Sequence, residues 1–240
     1  MTRRVWRVME ADHDLVWDLP NQLDHARVFL RPIGTPLPLG FFGLVVATSV
    51  LACMNLGWIP TSEQHQVAFV LMFFAFPLQL IASVLLFLVR SAPAGAGIGV
   101  QAVTWLTLGL ILYSGHPGSR SATAGVLLFA AAGALVPSAL TASLSKLVPS
   151  AVMLRVALRW VLTGIYEKFG GTAWEHASGW EGMVLAAVAL YAAFGSDLES
   201  ALHRSVLPMG RHGRGLEALD QNLADQESQL EREPGVRQQV

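Results

Sequence analysis

The sequence predicts an all-α integral membrane protein, a six-transmembrane-helix bundle with cytoplasmic N- and C-terminal tails. Three observations carry this prediction. The 240 residues are 53% hydrophobic and 14% charged, against about 25% charged in soluble domains. The charge is segregated: between Pro38 and Ser196 the only basic side chains are Arg90, Arg120, Lys146, Arg155, Arg159 and Lys168. Six apolar runs also approach the roughly 20 residues that a helix needs to cross about 30 Å of hydrocarbon. The chain therefore divides into a polar arm (1–33), a helical body (34–210) and a polar tail (211–240).

The arm opens with Arg3 and Arg4, but Asp12, Asp14, Asp18 and Asp24 interrupt any signal-type apolar run. It reads as a soluble arm with no cleaved targeting segment. The first span is Leu39–Ile59. The second, Val67–Val89, contains Pro77, and the fourth, Ala122–Leu144, contains Pro137. Proline would break a helix in water. Neighbouring helices can satisfy the freed carbonyls, so kinked spans are tolerated in a bundle. The third span, Ala94–Tyr113, is rich in glycine at its start. Gly95 and Gly99 form a small-xxx-small pair, which suits a subunit contact, a pore-lining backbone or ordinary helix packing. The fifth, Ala151–Tyr166, holds Arg155 and Arg159, and the sixth, Gly179–Phe194, holds Glu181.

The connections Pro60–Gln66, Arg90–Pro93, Ser114–Ser121, Ser145–Ser150 and Glu167–Gly179 leave no room for an extramembrane domain. Basic residues near span ends set orientation. With the N-terminus inside, the cytoplasmic side holds Arg27, Arg31, Arg90, Lys146, Arg204, Arg211 and Arg214, and the outside holds Arg120 and Lys168. Both termini are expected in the cytoplasm, and the body in the cytoplasmic membrane among lipid. In the tail, Leu216, Leu219, Leu223 and Leu230 keep a near-heptad rhythm with Gln226 in the remaining slot, too short to specify a coiled coil.

Few residues suggest chemistry. Cys53 stands alone, so neither a disulfide nor a Cys/His metal set can be built. His13, His25, His65, His116, His176, His203 and His212 fall in predicted tails or loops without metal-ligand spacing. No hydrolase elbow, Walker loop or zincin motif is present, and no basic stripe suggests nucleic acid. The expectation is no enzyme, no metal and no cofactor. Charge inside a membrane is costly and faces protein or water. Arg155 is near enough to the cytoplasmic end to snorkel. Arg159 is deeper, at the depth that Glu181 reaches in an antiparallel hairpin, and an Arg159–Glu181 ion pair is predicted, either structural or beside an anion or proton pathway. Asn55, Gln79, Gln101 and Thr104 are uncharged polar groups that could bond a neighbouring helix or line a polar path.

Two stretches carry a family resemblance. The first span opens Thr35-Pro36-Leu37-Pro38-Leu39-Gly40-Phe41-Phe42-Gly43. The sixth span and its exit read Gly179-Trp180-Glu181-Gly182 and Arg204-Ser205-Val206-Leu207-Pro208-Met209-Gly210. Together they resemble the acetate uptake transporter family, with Gln79 and Trp105-Leu106-Thr107-Leu108 also aligning. The resemblance implies a six-helix protomer, a hexameric homo-oligomer, and a path in each protomer for acetate-like monocarboxylates, proton-linked or channel-like. Under it, Thr35, Pro36, Pro38, Leu39 and Gly40 form the entrance, Leu44 and Gln101 the constriction, and Gln79, Thr104 and Trp105 support the path. Free N–H groups at a helix start suit a carboxylate, and an apolar constriction rejects large hydrated ions. Thr35 replaces the family's asparagine, Ala52 stands where a polar Asn is common, and Gln101 replaces an aromatic residue. The long polar tails and the missing asparagine leave a second reading, a non-transporting membrane scaffold or regulator whose tails bind a cytosolic partner.

Overall fold

The computed structural model describes residues 34–202 and 206–213. The readings made on residues 1–33, on 203–205 and on the leucine-bearing tail from Leu216 lie outside the described residues.

Six helices long and apolar enough to span a membrane follow one another. Helix α1 (Leu37–Asn55) starts where proline permits. Pro36 is its N-cap and Pro38 lies in its first turn, where no N–H is needed and the fixed φ suits a helix. It stops at Gly57, whose φ of +72° turns the chain left-handed at little steric cost. The amides of Trp58 and Ile59 then both donate to the Cys53 carbonyl, at 2.8 and 3.1 Å.

Helix α2 (Thr61–Leu88) is continuous but changes pitch. Its first turn, Thr61–Glu63, is 3-10, and Leu71–Ala75 is π-helical. The cause is Pro77, which has no N–H and whose ring crowds the carbonyl four residues back. The π turn widens the helix ahead of it, with the Phe76 amide donating to Leu71. Helix α3 (Ala92–Ser114) again carries proline in its first turn. Helix α4 (Ala122–Ser143) is capped by Ser121, whose hydroxyl accepts from the Ala124 amide at 3.2 Å. It tolerates Pro137 in its interior, and the Thr141 hydroxyl bonds the Pro137 carbonyl at 2.9 Å. Helix α5 (Leu147–Phe169) ends at Gly170 with φ +79°.

Helix α6 (Thr172–Leu202) has 31 residues, about 46 Å at 1.5 Å per residue, longer than the hydrocarbon is thick. Apolar runs mark only the lipid-crossing part, so α5 and α6 exceed the expected Ala151–Tyr166 and Gly179–Phe194. Their polar ends, such as Glu175-His176 and Asp197-Leu198-Glu199, continue the backbone ladder beyond it. Two histidines expected in loops, His65 and His176, are therefore helical.

Each helix packs on its sequence neighbours, and α6 closes against α1, giving a ring α1-α2-α3-α4-α5-α6. Small residues set the close approaches. A Cβ at Gly40 would stand 2.6 Å from Ile98 Cδ1, and one at Gly109 would stand 2.6 Å from Met72 Cγ. Gly95 and Gly99, the small-residue pair, face Phe87 and Ser83 of α2, and the Ser83 hydroxyl bonds the Gly95 carbonyl at 2.8 Å. Of the readings open for that pair, helix packing inside the chain is the one the contacts match. Phe73, Leu88, Leu140 and Phe169 project outward and exposed, the surface that hydrocarbon covers. Trp58, Trp174 and Trp180 cluster toward the end bearing the α1–α2 and α5–α6 turns, where aromatic residues suit a membrane interface. Below, this is called the far end, and the opposite one the tail end.

Candidate functional site

Two polar layers cross the middle of the ring. The layer nearer the tail end is built at the start of α1. Gln79 of α2 donates to the Gly40 carbonyl at 3.1 Å and to Gln101 Oε1 at 3.2 Å. Gln101, on α3, reaches across to Met153 Sδ of α5 at 3.0 Å. Gln79 and Gln101 are both wholly buried, so this is an interior network that ties four helices together. The carbonyl that Gln79 uses is one any residue offers; what position 40 needs glycine for is the close approach of Ile98.

The second layer lies about one to two turns further along. Arg159 of α5 is completely buried. Its Nη1 donates to the Thr48 carbonyl at 2.8 Å and to the Thr48 hydroxyl. The guanidinium packs on Gly182 of α6, where any Cβ would overlap it, beside Ala52. The expected Arg159–Glu181 ion pair is not formed. Glu181 places both carboxylate oxygens 2.9 Å from Nη1 of Arg155. The reason is helical phase: Gly182, not Glu181, is the α6 residue turned toward Arg159, and Glu181 is rotated about 100° away. Next to this layer, Trp105 of α3 and Trp160 of α5 meet edge to face at 5.9 Å, both buried.

Several polar atoms in these layers lack partners: Gln79 Oε1, Trp105 Nε1, Trp160 Nε1, and Arg159 Nε and Nη2. Buried polar groups are nearly always bonded, and an unmet one costs about 1–3 kcal/mol. They belong to the Gln79 layer, to the Arg159 layer and to the tryptophan pair beside it, and water or a small polar solute would satisfy them.

At the far end a cavity of about 410 Å³ opens among Gln64, Ser119, Arg120 and Glu167. Gln64 ties its wall, donating to the Leu112 carbonyl at 2.7 Å and accepting from the Gly118 amide at 3.0 Å. Glu167 accepts from the Ser121 amide at 2.8 Å. A smaller cavity of about 30 Å³ shares Gln64, Ser119 and Glu167 and extends inward to Leu51, Asn55 and Thr163. Thr163 is one turn beyond Arg159. Inward from this mouth thus come the smaller cavity, here called the neck, and one turn further along α5 the buried Arg159; Leu44, Trp105 and Gln101 are also without solvent exposure.

This architecture matches a known one. A solved structure of the bacterial acetate channel SatP superposes with a TM-score of 0.66 and 24% identity, over 74% of this chain and 99% of that one. The chain has the SatP fold. No family model matches it, and no curated protein does.

Against the SatP fold, the residues expected to form the entrance sit at the tail end of α1. Thr35 is exposed, Leu39 is half-buried, and Pro36, Pro38 and Gly40 are buried. Gln79 and Gln101 are bonded to each other, and Leu44 and Trp105 are, like them, wholly buried. Thr104 is buried too, and its hydroxyl donates to the Val100 carbonyl of its own helix at 2.7 Å. Met153, Trp160 and Thr48 were missed. The i, i+3, i+4, i+7 series Met153, Val156, Ala157, Trp160 was the available signal for the buried face of α5.

The tail end of this SatP-like ring carries a latch. Gly210 and Met209 carbonyls accept from the Leu147 and Val148 amides at 3.1 and 3.2 Å, capping the start of α5. Glu199 at the end of α6 binds Lys146 at 3.2 Å and Arg211 at 2.5 Å. Burial first, and then Arg211, hold the Lys146 ammonium below the ordinary lysine range, against the opposing pull of Glu199. Met209 is buried over Gly195. Among the described residues, no cluster of three or more His, Cys, Asp or Glu could hold a metal ion.

Proposed function

We propose that this chain is a multi-pass protein of the cytoplasmic membrane that passes small monocarboxylates of the acetate type. On this reading it is a diverged relative of the acetate uptake transporters. The observation that carries the proposal is the fold shared with an acetate channel over nearly all of that channel's length. The interior supports it. A small anion needs a narrow, mostly apolar route with a few donors, and the buried interior is mostly apolar, with unmet donors on Trp105, Trp160 and Arg159. Both tails are proposed to lie in the cytoplasm. Transport by proton linkage, rather than by a simple channel, and assembly as a hexamer extend the same proposal.

Leu44, Gln101 and Trp105 are wholly buried, and on this reading they form a closed centre. Labelled-acetate uptake into proteoliposomes is the test. Leu44→Ala should raise the rate, and Leu44→Trp should abolish it without loss of folded protein. If wild-type vesicles take up no acetate, propionate, lactate or succinate above empty ones, the proposal is wrong. The same closed centre favours the second reading, a scaffold whose tails bind a cytosolic partner. That reading gains support if neither wild type nor Leu44→Ala transports.

A further inference from the structure

We propose that Arg159 is an anion-binding residue, holding one small carboxylate on the Nε/Nη2 edge of its guanidinium between α1, α5 and α6. The inference deepens the transport reading and rests on it for the anion's route, while binding can be measured independently.

The donor geometry is the first argument. Thr48 uses Nη1 alone, through its carbonyl at 2.8 Å and its hydroxyl. Nε and Nη2 are buried and have no partner. Those two N–H groups lie side by side on one edge of the planar guanidinium. They are a pair that carboxylate oxygens take bidentately. If Arg159 served only to tie α5 to α1, Nη1 would suffice, and two donors would be left desolvated.

Charge is the second argument. A wholly buried guanidinium in an apolar ring needs a counter-charge. Glu181 commits both oxygens to Arg155, so two arginines on α5 share that one carboxylate. The local balance is positive, and a monocarboxylate would neutralise it.

The third argument is position. Gly182 has no side chain where the guanidinium lies, and Ala52 is small, so the cation fits between α1 and α6. The Thr163 hydroxyl bonds the Arg159 carbonyl at 2.9 Å, and Thr163 lines the neck, which shares Gln64, Ser119 and Glu167 with the far-end cavity. The neck therefore comes within about one helical turn, roughly 6 Å, of Arg159 along α5.

The test uses the full chain purified in detergent. Its melting temperature is followed against sodium acetate, formate and propionate, with sodium chloride at equal ionic strength as the control. Binding to the folded state raises Tm with saturating concentration dependence. The expected result is a saturable rise with acetate and formate beyond that with chloride. Folded Arg159→Gln should lose it. Arg159→Lys keeps the charge without the fork and should bind about tenfold more weakly; it decides the matter if Arg159→Gln does not fold. The proposal is overturned if wild type shows no carboxylate-specific rise, if chloride matches acetate, or if either folded variant keeps the wild-type response. Arg159-dependent binding in a chain that shows no uptake would uphold the site and end the transport reading. Uptake without Arg159-dependent binding would do the reverse.

Discussion

Arg155 and Arg159 differ by one helical turn, and the partners they take are opposite in kind. Arg155 keeps about two-fifths of its side chain exposed and pairs with Glu181, while Arg159 is sealed in the ring and bonds a backbone carbonyl. Depth counting along the hairpin puts Glu181 level with Arg159, one turn away from Arg155. Phase decides between them, because α6 turns Gly182 toward the interior. The pair is part-buried, with Glu181 only 12% exposed, so the Arg155–Glu181 coupling should be about 1–3 kcal/mol in a double-mutant cycle read by thermal unfolding. The charge swap Arg155→Glu/Glu181→Arg should restore most of what either single change loses. The absence of any coupling would contradict the pair. Gly182→Ala is the opposite case. Its new methyl overlaps the Arg159 guanidinium and approaches Ala52 Cβ at 2.9 Å, so overpacking should cost about 1–3 kcal/mol. Scanning calorimetry should show Tm falling by roughly 2–4 °C per kcal/mol for a chain of this size.

At the scale of helices, glycine has two meanings that sequence cannot separate. Gly40 is pressed against Ile98 and Ala82, whereas a Cβ at Gly133 meets nothing within 4 Å. Gly40→Ala should therefore destabilise by about 1–2 kcal/mol. Gly133→Ala should be neutral or stabilise α4 by up to about 1 kcal/mol, the helix-propensity difference. Thermal unfolding of the two variants side by side checks the contrast, and equal effects would contradict the packing described. Helix existence was legible, because each span is an apolar run of the required length. Helix ends were less so: α5 begins at Leu147 and α6 ends at Leu202, in polar segments that hydropathy does not mark. The π turn at Leu71–Ala75 was hidden as well. Pro77 announces a disturbance, but the packing around it selects which one.

For the whole molecule, the latch on Glu199 is one of the contacts that join the chain's last described segment to the bundle. Lys146, Glu199 and Arg211 come from the α4–α5 turn, the end of α6 and the segment beyond it. Glu199→Gln leaves two cations facing each other and should cost about 2 kcal/mol. It should also increase protease cleavage near Arg211, assayed on purified protein. Unchanged stability and unchanged cleavage would show the latch to be inert. The closing of the ring belongs to this scale too, since α1 meets α6 although they are the first and last spans.

Apolar run length and charge segregation were enough, alone, to determine a helical membrane body of six spans, because hydrocarbon demands about 20 apolar residues and satisfied backbone from every crossing segment. The Pro-Leu-Pro-Leu-Gly start and the Leu-Pro-Met-Gly exit were enough to point at the fold. Tertiary structure alone decided which side chains meet across helices. It brought in Met153, Trp160 and Thr48, and gave Glu181 to Arg155 rather than to Arg159. The physical reason is that hydropathy follows position along a helix axis. Contacts across a ring depend instead on each helix's rotation about that axis, and neighbouring helices, through approaches such as Gly40 on Ile98 and Gly182 under Arg159, set that rotation.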